Sequence, residues 1–141
     1  MGFRLQTQLA LVAVAVVTCG LVVLGAEFAR NGDTSVRDEG ATRAAAAVTT
    51  QFLTALDRGQ YARACDLLAP EFYRRHRLPD RGHCIRGFTL GLGGTAVKFR
   101  IVEVEAQGGE ALVRAVVDGA PGTIRLVRGT AGFRVLELRG A

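Results

Sequence analysis

The sequence predicts an α+β protein: a transmembrane helix, then two to four helices packed on a curved four-stranded antiparallel sheet. Three observations predict it. An uncharged aliphatic run lies near the N-terminus, the apolar residues of the middle third recur at helical spacing, and those of the last third alternate with a period of two. Almost half of the 141 residues are hydrophobic (49%), which excludes disorder as a description of the whole chain.

The aliphatic run is Leu9 to Ala26, LALVAVAVVTCGLVVLGA, eighteen residues without a charge. A helix rises about 1.5 Å per residue, so the run is long enough to cross a hydrocarbon core about 30 Å thick. The organisation expected is a cytoplasmic tail at 1–8, an uncleaved signal-anchor helix at 9–29, a polar linker at 30–40 (Asn31 to Gly40, NGDTSVRDEG) and an extracytoplasmic domain at 41–141. Two alternatives stay open. A cleaved signal peptide would exit at Leu24-Gly25-Ala26 or Glu27-Phe28-Ala29, each with a poor residue at the first small position. A lipoprotein would use Cys19, which follows Thr18 inside the run. Arg4 alone carries a side-chain charge ahead of the span, so the positive-inside bias is weak.

After the linker, ATRAAAAVTTQFLTALDRG places Val48, Phe52, Ala55 and Leu56 at helical spacing, and Gly59 supplies the stop. Gln60 to Leu68 continues as a second helix, with Tyr61, Ala64, Cys65 and Leu68 on one face. Pro70 opens a third through Glu71, Phe72 and Tyr73, as proline does in a first turn. A short helix around Cys84 to Leu90 follows Pro79.

From Thr95 the period changes. Val97, Phe99 and Ile101 alternate with Lys98 and Arg100, then the apolar set slips to Val102, Val104 and Ala106, which predicts a β-bulge near Ile101. Gly108-Gly109 reads as a hairpin turn, and Ala111, Val113, Ala115 and Val117 form the next inward set. A turn at Gly119 to Gly122 leads to Ile124 and Leu126; a last one at Gly129 to Gly132 leads to Phe133, Val135, Leu136 and Leu138. Four strands joined by short turns make a meander.

Residues 41–139 resemble the NTF2-like (cystatin-like, SnoaL-type) superfamily, particularly its small exported actinobacterial members. The residues that carry the resemblance are the helix–glycine–helix opening VTTQFLTALDRGQYARACDLL, the four-stranded meander, and the closing hairpin LVRGTAGFRVLEL, where Phe133 stands in a place usually held by tryptophan. The resemblance implies a sheet curved around a cone that a helix caps. Catalytic members of the superfamily place Asp, His or Tyr inside that cone. Here the positions expected inside are apolar: Phe52, Leu56, Phe99, Ile101, Val113, Ala115, Ile124 and Leu126 are the candidate cavity lining. No catalytic residue carries over, and no cofactor or metal is expected.

The stretch ACDLLAPEFYRRHRLPDRGHC, Ala64 to Cys84, concentrates what chemistry remains. Cys19 lies in the span, leaving Cys65 and Cys84 as an even pair, and an oxidising compartment favours a disulfide between them. That pairing also orients the chain, with the domain outside the cytoplasm and a single pass through the cell membrane. Free thiols are one alternative. A zinc site from Cys65, His76, His83 and Cys84 is another, but it lacks the usual ligand spacing. Arg74, Arg75, Arg77, Arg81 and Arg86 form a candidate basic patch that holds most of the net charge of +5. Such a patch reads as a solvated surface or as a contact to anionic headgroups. Nucleic acid is not an expected partner, because the domain is expected outside the cell.

The expected function is therefore a membrane-anchored, extracytoplasmic, non-catalytic binding or accessory module of the cell envelope, with an envelope protein or a small apolar ligand as partner. Two alternatives differ in class. One is a small envelope enzyme of the isomerase or hydrolase kind using His83 and Asp80. The other is a bitopic structural subunit whose span packs through Gly20 and Gly25.

Overall fold

The structure, a computed structural model, describes residues 38–140. The expected tail, anchor helix, cleavage sites, lipid attachment at Cys19 and most of the linker lie outside the described residues. No helix among the described residues is long and apolar enough to cross a membrane.

Four helices precede four strands: α1 (Glu39–Asp57), α2 (Tyr61–Asp66), α3 (Pro70–Arg75), α4 (Arg81–Leu92), β1 (Phe99–Gln107), β2 (Glu110–Val117), β3 (Ala120–Gly129) and β4 (Gly132–Gly140). Asp38 caps α1 by accepting from the Ala41 amide at 3.0 Å, so the helix takes up Glu39 and Gly40 from the end of the expected linker. Its buried face carries Ala41, Ala45, Thr49, Phe52, Leu53 and Leu56, a stripe that repeats every three to four residues. The alanines let the first turns approach the sheet closely, and Phe52 fills the space farther along. Gly59 then takes φ +65°, where the chain reverses into α2.

The sheet is an antiparallel meander in the order β1-β2-β3-β4. Its register shifts between Ile101 and Glu103, as the slip in the apolar pattern predicts. Val104 and Ala106 continue the inward set, but Val102 does not: it is the extra residue of the bulge and is 56% exposed on the outer face. A second shift, opposite Arg125 and Leu126, leaves Leu136 of β4 without a partner of its own in β3. The consecutive apolar pair Val135-Leu136 is its mark in the sequence. These bulges help curve the sheet around α1, which packs across β1, β2 and β4.

The turn expected at Gly119 to Gly122 lies earlier. Asp118 (φ 50°) and Gly119 (φ 83°) form the tight connection, and Pro121 and Gly122 are already paired in β3 with Val116 and Ala115. An Asp-Gly pair with both residues at positive φ matches the twist of a hairpin. Proline is tolerated because Pro121 lies beyond Gly122, where the pairing with β4 ends. Helix α4 is also longer than expected, starting at the Asp80 cap and ending at Gly93 in the left-handed region.

The β4 edge is partly covered. Leu68 pairs in parallel with Val135, whose carbonyl accepts from the Ala69 amide at 2.7 Å and whose amide donates to Leu67 at 2.8 Å. This bridge anchors the start of α3 on the sheet and leaves less open strand edge.

Candidate functional site

Seven of the eight residues expected to line a cavity belong to one packed core, and Ala115 is buried but outside that cluster, beside the outer-face depression. Phe52, Leu56, Val113, Ala115, Ile124 and Leu126 are buried, while Phe99 and Ile101 are half-buried and pack against the same core. Phe88 of α4 meets Phe52 edge-on and stacks on Tyr61, each at 6.2 Å between ring centroids. The polar groups among them are engaged. Thr49, fully buried, donates its hydroxyl to the Ala45 carbonyl at 2.9 Å. The Tyr61 hydroxyl accepts from the Gly94 amide at 3.0 Å, and Tyr73 donates to the Cys65 carbonyl at 2.9 Å. Burial, assisted by the Asp66 charge, pushes the Tyr73 hydroxyl above its ordinary pKa, so it stays a proton donor. Among the described residues no buried side-chain nitrogen or oxygen lacks a hydrogen bond.

Cys65 and Cys84 are joined, with their Cα atoms 6.1 Å apart. Both sulfurs are consumed, so the alternative zinc set loses its thiolates. Among the described residues no three His, Cys, Asp or Glu side chains converge as a metal site. The bond ties α2 to α4 beneath the arginine-rich segment. Arg81 donates to both carboxylate oxygens of Asp66, Nη2 to Oδ2 at 2.9 Å, and holds that carboxyl below the usual range.

The five arginines of that segment have different surroundings. Arg74 pairs with Glu71 and Arg75 with Glu137, both at 3.0 Å, and Arg81 pairs with Asp66. Arg77 and Arg86 have no ion pair among the described residues, and Arg77 sits at φ 53°. His76 packs on the Phe72 ring at 4.3 Å. His83 meets Asp80 at 2.9 Å between Nδ1 and Oδ1, but both are exposed at the start of α4, away from the concave face. The same Asp80 oxygen accepts from the His83 amide at 2.8 Å, so the carboxylate is first of all a helix cap. The hydrogen bond from the His83 ring, with that from its amide, holds Asp80 below the usual carboxylate range.

The outer sheet face carries a feature not singled out from the sequence. Glu137 of β4 accepts from Arg139 at 2.9 Å and lies 3.0 Å from Arg75 of α3 and 3.5 Å from Arg125 of β3. The Arg139 hydrogen bond, outweighing some desolvation, depresses its pKa, and Arg75 adds to this. Nearby, Arg114 pairs with Glu103 at 2.8 Å. Strand alternation sends Arg100, Arg114 and Arg125 outward. It could not indicate which carboxylate would gather them.

No known protein-family profile matches the chain, and no curated protein matches it. Solved structures do. A dehydratase candidate of the NTF2-like family from Streptomyces avermitilis superposes with TM-score 0.55 at 17% identity, over 73% of this chain and 96% of that one. A domain of unknown function with a cystatin-like fold from Nostoc punctiforme gives 0.54 at 13% identity, over 77% of this chain and 78% of that one. An NTF2-like protein of unknown function from Silicibacter pomeroyi gives 0.50 at 16%, over 70% and 94%. The fold is thus that of the NTF2-like, cystatin-like proteins, as the resemblance in sequence implied.

Proposed function

We propose that the chain is a membrane-anchored, extracytoplasmic NTF2-like domain that serves as a non-catalytic binding or accessory module, with the cell envelope as its setting. The fold assigns no reaction by itself, since the similar structures include a dehydratase candidate and proteins of unknown function. The observation that carries the reading is the concave face. General acid–base chemistry requires a titratable group held beside the reacting atom. This face instead presents Phe52, Val113, Ile124 and Leu126, with the Thr49, Tyr61 and Tyr73 hydroxyls engaged in backbone hydrogen bonds. The Cys65–Cys84 disulfide supports an oxidising compartment, and the uncharged run at 9–26 supports an anchor.

Fractionation of cells carrying the full chain with a C-terminal tag tests this. The chain stays in membranes through an alkaline carbonate wash, the tag is protease-accessible in spheroplasts, and Cys65 and Cys84 resist alkylation until reduced. A soluble chain, a mature N-terminus near Glu27 or Arg30, or freely alkylated cysteines would overturn it. The enzyme alternative has one observation in its favour, the 2.9 Å contact between His83 and Asp80. Its exposure favours the capping role, and turnover abolished by His83→Gln would restore the catalytic one.

A further inference from the structure

The outer sheet face holds an open depression of about 490 Å³ between the ends of β1, β2, β3 and β4. We propose that it is a binding site for a small amphiphilic oxyanion, a carboxylate or phosphate joined directly to a compact apolar body. The inference deepens the binding-module reading, on which it rests for the absence of turnover, and it is independent of the anchor.

The lining divides into two kinds of surface. Val102, Val116 and Pro121 give an apolar floor, and Arg100, Arg114 and Arg139 give guanidinium groups around it. Backbone geometry produces the floor. The bulge at Ile101–Glu103 turns Val102 outward, and the tight Asp118-Gly119 turn brings Pro121 opposite Val116 in the neighbouring strand. Gly122 lets β3 and β4 lie close beside it: a Cβ there would meet the Arg139 carbonyl oxygen at 3.0 Å, a contact that a side chain makes only if the backbone gives way.

Charge supplies the second half of the argument. Arg114 is largely neutralised, with Glu103 at 2.8 Å and Glu105 at 3.9 Å. Arg100 is exposed and has no carboxylate partner among the described residues. Arg139 uses Nε on Glu137, but Glu137 is shared with Arg75 and Arg125, and Arg125 also pairs with Glu110 at 3.1 Å, so two carboxylates face three guanidinium groups. The excess positive charge therefore falls at the Arg100 and Arg139 sides of the depression. Guanidinium groups match the planar, paired oxygens of carboxylate and phosphate. The volume lies within the range of small-ligand sites, and an apolar floor with a few polar groups is their usual make-up. An inorganic anion would leave Val102, Val116 and Pro121 uncovered, and a neutral apolar molecule would leave Arg100 without a counter-ion and Arg139 with only a shared one.

Fluorine NMR on the full chain in phosphatidylcholine nanodiscs tests the site with para-fluorophenyl phosphate and para-fluorobenzoate as probes. At least one of the two broadens on binding, and which one distinguishes phosphate from carboxylate. Para-fluorophenol and inorganic phosphate compete at least about tenfold more weakly. Arg100→Gln with Arg139→Gln weakens binding by about tenfold or more, and so does Val102→Glu, an exposed position where folding is retained. Arg74→Gln with Arg77→Gln, on the other basic segment, leaves binding unchanged. Absence of broadening for both probes, full binding in the Arg100/Arg139 variant, or equal loss in the Arg74/Arg77 variant would overturn the proposal. A growing para-fluorophenol resonance would instead overturn the non-catalytic reading while leaving the site in place.

Discussion

Arg81 clasps Asp66 with two nitrogens, and each partner stands within three residues of one half of the Cys65–Cys84 disulfide. A covalent and an ionic link thus tie the same two helices. Both side chains of the ion pair are more than half exposed, so solvent and salt screen it. Asp66→Asn should therefore lower Tm only slightly at neutral pH, and the loss should shrink further in high salt. The sign with pH follows from the lowered pKa of Asp66. Its contribution is present above the ordinary value of 3.8 and disappears as pH falls through the depressed folded value. Thermal scans of wild type and variant should therefore begin to approach one another below pH 3.8 and converge only below the depressed folded value; a difference that persists there would show that the charge is not what the pair contributes.

The disulfide should matter more. In the chain-entropy view a loop of this size stabilises by about 3 kcal/mol. For a domain of about 100 residues that corresponds to a Tm drop of more than about 10 °C. Cys84→Ser and reduction of the wild type should give the same drop, measured by calorimetry. A reduced wild type that melts with the oxidised one would mean that the bond constrains nothing.

Phe52 separates a packed core from a ligand cavity. It is fully buried against Phe88 and the sheet, and removing such a ring costs about 3–5 kcal/mol. Phe52→Ala should unfold at correspondingly lower denaturant with an unchanged slope. An undiminished midpoint would indicate that Phe52 lines a space already open, and the apolar-ligand reading of the concave face would gain ground.

The helices and strands were legible because burial imposes its period on residue choice, as at Val48, Phe52, Ala55 and Leu56 or at Ala111, Val113 and Ala115. The errors are local and physical. Gly-Ala-Pro-Gly looks like a turn, but Asp118-Gly119 satisfies the hairpin twist and lets Pro121 join the strand. Three glycines disguise α4, whose start is specified by the Asp80 cap and whose first turn is held by the disulfide. The outer-face cluster was not legible because it depends on register. Glu137 meets Arg125 only through strand pairing, and Arg75 reaches it only because Leu68 bridges to Val135 and brings α3 to the edge of the sheet.

That cluster yields the last prediction. Glu137 is one carboxylate among Arg75, Arg125 and Arg139, and its side chain is only 13% exposed. Replacing it with glutamine keeps the shape but leaves Arg75 and Arg139 without a counter-charge beside Arg125, which retains Glu110 at 3.1 Å. Repulsion among like charges in a partly shielded site falls with distance and with added salt. Glu137→Gln should therefore lower Tm at low ionic strength and recover much of the loss in molar salt. Glu103→Gln, which releases chiefly Arg114, should cost less and respond less to salt. The pH dependence has a defined sign: the Glu137 pKa lies below its ordinary 4.5, so its contribution holds above that pH and vanishes on acidification through the folded value. Because Arg75 belongs to α3, the loss should also appear as faster amide exchange at the bridge between Leu68 and Val135. Equal melting of the two glutamine variants at every salt concentration would mean that the three arginines are held apart by solvent and that Glu137 organises nothing.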